Sequence, residues 1–175
     1  ISSFAFKHLD AHVDRPQIYA TAWTAAMKNP IFGSGFGTFL QVYPIYENPA
    51  TLTPEYVNRA HNDFLEFVLE TGIPGALLIA AYLAYLGGLA IKLIRLPASP
   101  VRDSGMMALM AIAAILMQSA VDYPLRTWIV MITFIYCNTV LIDAVAHDAA
   151  ALQVAKSGRS RRRGRRVAAE AATSP

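Results

Sequence analysis

A short polar segment ahead of a long apolar stretch contains the residues best suited to chemistry. It carries an imidazole, a guanidinium and three carboxylates, which are Arg59, His61, Asp63, Glu66 and Glu70. A carboxylate near an imidazole can fix its tautomer and leave the other ring nitrogen as a general base near neutral pH. We therefore predict His61 as a catalytic residue with these carboxylates in support. The alternative is a histidine that packs in the core.

The residues that follow His61 are expected to form an amphipathic helix. The apolar positions recur at helical spacing and are predicted to point inward together with His61: Phe64, Leu65, Val68 and Leu69. Gly72 suits a left-handed helix end, and Pro74 opens the apolar stretch. An earlier helix start is indicated at Thr53 and Pro54.

Another amphipathic helix is predicted nearer the start of the chain, from Asp14 to Lys28. Five residues at helical spacing are expected on its inner face: Ile18, Ala22, Trp23, Ala26 and Met27. The helix should stop before Asn29, because the residue before a proline is pushed out of the helical region. The glycines at 33, 35 and 37 lack the spacing of a phosphate-binding loop, so we predict a tight turn where backbones approach closely.

Arg15 and Arg59 are the candidate anion-binding residues, because a guanidinium fork matches phosphate oxygens bidentately. Either arginine could instead pair with Asp14 or Asp63. No metal site is predicted, since His61 and Asp63 diverge on a helix and a pair at His8 and His12 has no obvious third ligand. The one cysteine, Cys137, permits no internal disulfide.

The composition indicates a membrane protein, since 55% of the 175 residues are hydrophobic, against roughly 45–50% in soluble domains. Three apolar stretches have the length of a spanning helix, at 74–94, 104–121 and 128–146. We therefore predict an all-α, polytopic membrane fold, with residues 74–146 as the membrane domain and residues 1–73 as a helical segment carrying the site. The chain begins with Ile1 and has no signal-peptide pattern, which indicates the C-terminal part of a longer protein.

The positive charges predict the orientation. Lys92, Arg95 and Arg102 flank the first loop between spans, and residues 147–175 carry seven Lys and Arg residues, so both regions are expected in the cytoplasm. The basic run in this tail could bind nucleic acid or anionic lipid, but beside a span it is typical of a disordered stop-transfer tail. Residues 1–73 and the loop with Tyr123 and Arg126 are then on the opposite side, where these two residues could close the site or mark the interface.

Several sequence blocks in the same order resemble the C-terminal half of the O-antigen ligase and polymerase superfamily. They lie at residues 15–23, 29–39, 59–65, 70–72 and 121–126. Ligases of this family carry a histidine separated by ten residues from a glycine, which His61 and Gly72 match in full. They also carry an arginine followed by three residues and an aliphatic one. Arg15 matches this second pattern except that Tyr19 takes the last place.

The resemblance implies a metal-independent, inverting glycosyl transfer without a cofactor, at a site facing the periplasm in the bacterial inner membrane. The implied donor is a glycan on undecaprenyl diphosphate, and the acceptor is the lipid A core or another glycan. His61 would serve as base or orient the acceptor, and Arg15, helped by Arg59 or by an upstream arginine outside this sequence, would bind the diphosphate. Supporting roles fall to Asp63, Glu66, Glu70, Tyr123 and Arg126. Membrane lipids are expected partners and nucleic acid is not.

Other functions remain open at the level of sequence. The family includes ligases, polymerases and protein-glycosylating relatives, which these residues do not separate. A transporter or flippase component for polysaccharide precursors is the alternative from another class, and a non-catalytic scaffold is a third. Transport would favour interrupted spans with a charge at the midplane. Gly87 and Gly88 give the clearest interruption, and no charged residue lies mid-span.

Overall fold

The computed structural model describes residues 15–49, 57, 59–147 and 158, which form helices joined by turns. The helices are α1 (Arg15–Ala26), α2 (Phe39–Val42), α3 (Asp63–Ile94), α4 (Pro100–Ser119) and α5 (Trp128–His147). Short 3₁₀ turns follow α2 at Tyr43–Tyr46 and precede α5 at Pro124–Arg126. No strand occurs in these described ranges. The predicted all-α fold is confirmed.

Helices α3, α4 and α5 are each long and apolar enough to cross a membrane. They share a core that includes Leu89, Leu93, Ile112 and Leu141. Only 17% of the most apolar window of each helix is buried within the chain, so most of these side chains need lipid or other helices to remain out of water. The chain is therefore a membrane protein with three candidate spans. Helices α4 and α5 have bounds close to the predicted 104–121 and 128–146.

Helix α3 is broken where the polar segment meets the apolar one. Gly72 adopts a φ of 64° within the helix, a left-handed conformation that glycine adopts without steric cost. Two residues later, Pro74 has no N–H to donate to the Glu70 carbonyl. The left-handed Gly72 agrees with the prediction. The two halves, however, form one kinked element with no connecting loop between them.

The glycine-rich loop at residues 30–35 packs against this break and satisfies its backbone groups. A Cβ atom on Gly33, whose φ is 69°, would overlap the backbone of Glu70 and Thr71. The predicted close approach of backbones therefore occurs here, and it allows the loop to form hydrogen bonds with the backbone groups at the helix break. Three backbone hydrogen bonds join the loop to the break: Ser34 N–H to Leu69 C=O at 3.0 Å, Gly35 N–H to Glu70 C=O at 2.8 Å, and Ile73 N–H to Pro30 C=O at 2.8 Å.

Helix α1 packs against α3 through a face of small residues. Ile18, Ala22, Ala25 and Ala26 are buried on it, together with Phe39 and Tyr43 from the next elements. The predicted inward positions of Trp23 and Met27 are wrong, since their side chains are exposed on the chain surface. The small alanine side chains allow α1 to approach α3 closely, so the alanines occupy the buried face. Trp23 and Met27 each follow a buried alanine, and successive residues of a helix are turned by about 100°, which places these two side chains away from α3. The predicted cap at Asp14 lies outside the described residues.

The start of α3 differs from the prediction. Asn62 is the N-cap, and its Oδ1 accepts a hydrogen bond from the Leu65 N–H at 2.9 Å. His61 therefore precedes the helix, and the earlier start signal at Thr53 and Pro54 falls outside the described residues. The inward face was predicted correctly only in part: Leu69 is buried in the core with α1 and Leu65 packs against that core. The buried residues of the first turns are Asp63, Glu66, Leu69 and Glu70, whereas Phe64, Leu65 and Val68 are half-buried.

Candidate functional site

His61 is held in an uncommon backbone conformation at the entrance to α3. Its φ is 49°, the left-handed region that non-glycine residues seldom occupy and that is enriched at functional sites. Two side chains hold this backbone in place. The Tyr19 hydroxyl donates to the His61 carbonyl at 2.9 Å, and Asn62 Nδ2 donates to the Ala120 carbonyl at 2.9 Å. The backbone at His61 is thus fixed by contacts with α1 and with the end of α4.

The His61 side chain contacts the turn that follows α4. Its Nδ1 lies 3.4 Å from Asp122 Oδ1, and its ring centroid lies 5.1 Å from that of Tyr123. Both His61 and Asp122 are partly exposed, at 31% and 40% of their side chains. The sequence favoured Asp63 or Glu66 as the carboxylate beside this imidazole, and that expectation is wrong. Asp63 instead accepts a hydrogen bond from the Leu125 N–H at 3.1 Å.

Arg15 reaches the same turn from the first residue of α1. Its Nη1 donates to the Val121 carbonyl at 3.1 Å, one residue before the aspartate that faces His61. A carbonyl is a neutral acceptor, so this contact positions the guanidinium without neutralising its charge. The structure therefore brings Arg15, His61 and Tyr123 together at residues 121–123.

Arg126 occupies the centre of a second cluster, on the inner face of α3. Its Nη2 lies 2.9 Å from Glu66 Oε1 and 3.4 Å from Glu70 Oε2, and its Nε lies 4.0 Å from Asp63 Oδ1. These three carboxylates recur at offsets of three and four residues, which places them on one helix face. One guanidinium thus ties the turn before α5 to the start of α3.

Arg59 belongs to this second cluster. Its Nη1 lies 2.8 Å from Glu66 Oε1, while Glu66 Oε2 accepts a hydrogen bond from the Ala60 N–H at 3.2 Å. Glu66 is 1% exposed, so both of its oxygens are satisfied by protein groups. The predicted alternatives for Arg59 included pairing with Asp63 or Asp14, and the observed partner is Glu66.

A cavity of about 410 Å³ extends from the second cluster between the candidate spans. Its polar end is formed by Asp63, Glu70 and Arg126. The rest is lined mainly by apolar side chains, among them Leu78, Ile79, Leu116 and Phe134. Glu70 is 2% exposed, and among the described residues its Oε1 has no hydrogen-bond partner. No set of three or more His, Cys, Asp or Glu side chains in the described ranges is arranged to hold a metal ion.

Sequence reasoning missed Asp122 as the partner of His61 and Tyr19 as a support of its backbone. Asp122 is 61 residues away along the chain, and local spacing therefore gives no signal for this contact. One available signal was its position, since it is the first charged residue after the stretch 104–121 and lies in the loop expected on the same side as His61.

Comparison with known proteins agrees with the motifs. The family model described as O-antigen ligase matches residues 2–80, which include Arg15, the glycine-rich loop and the start of α3. No curated protein and no solved structure matches the chain. The match covers just under half of the chain; it supports membership in the O-antigen ligase and polymerase superfamily and suggests a glycan-transfer role in polysaccharide biosynthesis.

Proposed function

We propose that this chain carries the site of an inverting glycosyl transfer on the periplasmic side of the bacterial inner membrane. The donor is a glycan linked to undecaprenyl diphosphate, and the acceptor is a sugar hydroxyl of the lipid A core or of another glycan. The observation that supports this best is the convergence of Arg15 and His61 on residues 121–123. Such a transfer needs a base for the acceptor hydroxyl on one side of the anomeric carbon and a fixed positive charge for the departing diphosphate on the other side.

In this proposal His61 takes the proton of the acceptor hydroxyl. The acceptor oxygen forms a bond to the anomeric carbon, and the bond from that carbon to the diphosphate oxygen breaks. If Nδ1 carries the proton that faces Asp122, Nε2 is the basic nitrogen, and the nearby carboxylate stabilises the imidazolium that forms. The left-handed backbone of His61 holds this nitrogen in place.

Arg15 receives the diphosphate in the same scheme. Its contact with a neutral carbonyl leaves its positive charge available, and its planar fork can bind two phosphate oxygens. Arg59 is a weaker candidate, because its guanidinium is bound to a buried carboxylate. A diphosphate is a good leaving group, so positioning and electrostatics are sufficient without a metal ion.

The second cluster holds in place the turn that carries part of the proposed site. Arg126 holds the turn after α4 against Asp63, Glu66 and Glu70, and this turn carries both Asp122 and the carbonyl bound by Arg15. In this scheme the carboxylates act as positioning residues. Tyr123 packs beside the imidazole and shields one side of it.

The test is the replacement of His61 by Asn in the full-length protein, reconstituted with lipid-linked glycan and acceptor. Asn tolerates a positive φ, so the variant keeps the backbone while it removes the base. The expected result is a transfer rate lower by about 10² to 10⁴-fold, with donor binding preserved. His147→Asn, at the end of α5, is the matched control and should retain the wild-type rate.

Transfer by His61→Asn at the wild-type rate would refute the catalytic role and leave the core-histidine interpretation. The same proteoliposomes test the transport alternative. Movement of the lipid-linked donor across the bilayer without any glycan transfer would identify a flippase and overturn the proposed reaction.

A further inference from the structure

The cavity between the candidate spans differs in chemistry from the Arg15 and His61 site. Its walls come from α3, α4 and α5, and Leu78 at one side is 64% exposed on the chain surface. One side of the cavity therefore borders an exposed apolar surface of the candidate spans, which a lipid can reach. Its volume falls in the range of roughly 300–1,000 Å³ that is typical of small-molecule sites.

The feature of this cavity that indicates a bound ligand is a buried oxygen atom of Glu70 that has no hydrogen-bond partner among the described residues. Its other oxygen, Oε2, faces Arg126 Nη2 at 3.4 Å, whereas Oε1 has no partner among the described residues. Buried polar groups in proteins are nearly always hydrogen-bonded, and an unpaired one carries a free-energy cost. A hydrogen-bond donor bound in the cavity would remove that cost.

The charge around the cavity identifies the kind of donor. Asp63, Glu66 and Glu70 provide three carboxylates, and Arg59 and Arg126 provide two guanidinium groups. One excess negative charge favours a cation over a neutral hydroxyl, and it disfavours a headgroup that carries negative charge only. The neighbouring Arg126 can at the same time face one phosphate. A zwitterion with an ammonium and a phosphate group complements this pair of side chains.

We propose that the cavity binds one phospholipid with a primary ammonium headgroup. The ammonium donates to Glu70 Oε1, the phosphate faces Arg126, and an acyl chain lies along the apolar wall that includes Ile79, Leu116 and Phe134. The site is separate from the proposed diphosphate site and does not depend on glycan transfer. The lipid occupies the space between the spans, and its headgroup binds Glu70 and Arg126 of the second cluster.

Native mass spectrometry of the full-length protein tests the proposal with three lipids of identical chains. Phosphatidylethanolamine has N–H donors, phosphatidylcholine has a cation without them, and phosphatidylglycerol has hydroxyls without a cation. We expect one phosphatidylethanolamine to bind at least about tenfold more tightly than either of the others, since hydrogen bonds to charged groups are among the strong ones. Equal retention of the three lipids, or a preference for phosphatidylglycerol, would overturn the proposal.

Two variants locate the binding. Glu70→Gln should lower the affinity for phosphatidylethanolamine about tenfold and that for phosphatidylcholine by less, since phosphatidylcholine loses charge attraction but no hydrogen bond, whereas Asp103→Asn, which alters a carboxylate 69% exposed elsewhere, should change neither. Ile79→Trp fills the cavity and should abolish the selective binding while Glu70 remains intact, which provides a second test if Glu70→Gln does not fold. Unchanged selectivity in the Ile79→Trp protein would show that the lipid binds elsewhere and would refute the site.

Discussion

Replacement of Arg126 by Gln is expected to destabilise the described fold. The guanidinium faces two carboxylates that are almost fully buried, Glu66 at 1% and Glu70 at 2% exposure. Removal of one partner of a buried ion pair typically costs about 3–5 kcal/mol. Two features lower this figure, because Arg126 is itself 32% exposed and Glu66 keeps its contact with Arg59. We therefore expect a loss of about 2–3 kcal/mol, mostly from the unpaired Glu70.

The assay is reversible unfolding of the full-length protein in mixed micelles with increasing denaturing detergent. Adding Glu70→Gln to Arg126→Gln removes the orphaned charge and should recover about half of the loss, a coupling that a double-mutant cycle measures. Arg102→Gln is the matched control, since Arg102 lies 3.9 Å from an exposed Asp103 and such pairs contribute about 0–1 kcal/mol. An Arg126→Gln protein as stable as Arg102→Gln, or a double variant no more stable than Arg126→Gln, would refute the buried-cluster argument.

Three further predictions concern the binding of the diphosphate, the helix break and the topology. Arg15→Lys should reduce glycan transfer nearly as much as Arg15→Ala, since an ammonium cannot reproduce the planar fork, and Arg59→Ala should reduce it less; the reverse ranking in a reconstituted assay contradicts the assignment. Gly33→Ala should lower the thermal unfolding temperature more than Gly37→Ala, because both have positive φ but only the Gly33 Cβ meets the backbone of α3, and equal shifts would argue against this packing. A Cys at Thr51 should react with an impermeant thiol reagent on spheroplasts of a Cys137→Ala background, and one at Ser160 only after lysis; the opposite pattern would place the site in the cytoplasm.

The hydrophobic stretches predicted the three long apolar helices well, because length and apolarity are what make a helix able to cross a bilayer. The inward face of α3 was predicted correctly for Leu65 and Leu69 but not for Phe64 and Val68, for a related reason. The stripe rule assumes water outside, where apolar residues such as Phe64 and Val68 turn inward. At the head of a membrane helix lipid can cover these residues, and the carboxylates turn toward Arg126 instead.

Contacts between distant segments were the other limit of sequence reasoning. The predicted residues Arg15, His61 and Tyr123 do meet at one turn, and Arg126 meets all three predicted carboxylates. The pairing of His61 with Asp122 could not be read from spacing, since it depends on how α4 returns to the start of α3. The left-handed backbone of His61 likewise had no signal, because histidine does not require that conformation.

The ten-residue interval between His61 and Gly72 acquires a physical meaning from the structure. His61 lies two residues before α3 begins, and Gly72 marks the break that the loop at residues 30–35 caps. The helical residues between them rise about 1.5 Å each, so the interval fixes the height of the imidazole above the break. It also fixes the rotation, because one residue more or fewer would turn His61 by about 100° relative to the capped carbonyl of Glu70. The same interval places Asp63, Glu66 and Glu70 on the face that Arg126 meets. A fixed histidine-to-glycine spacing is therefore what this arrangement of capped break, buried carboxylates and partly exposed imidazole requires.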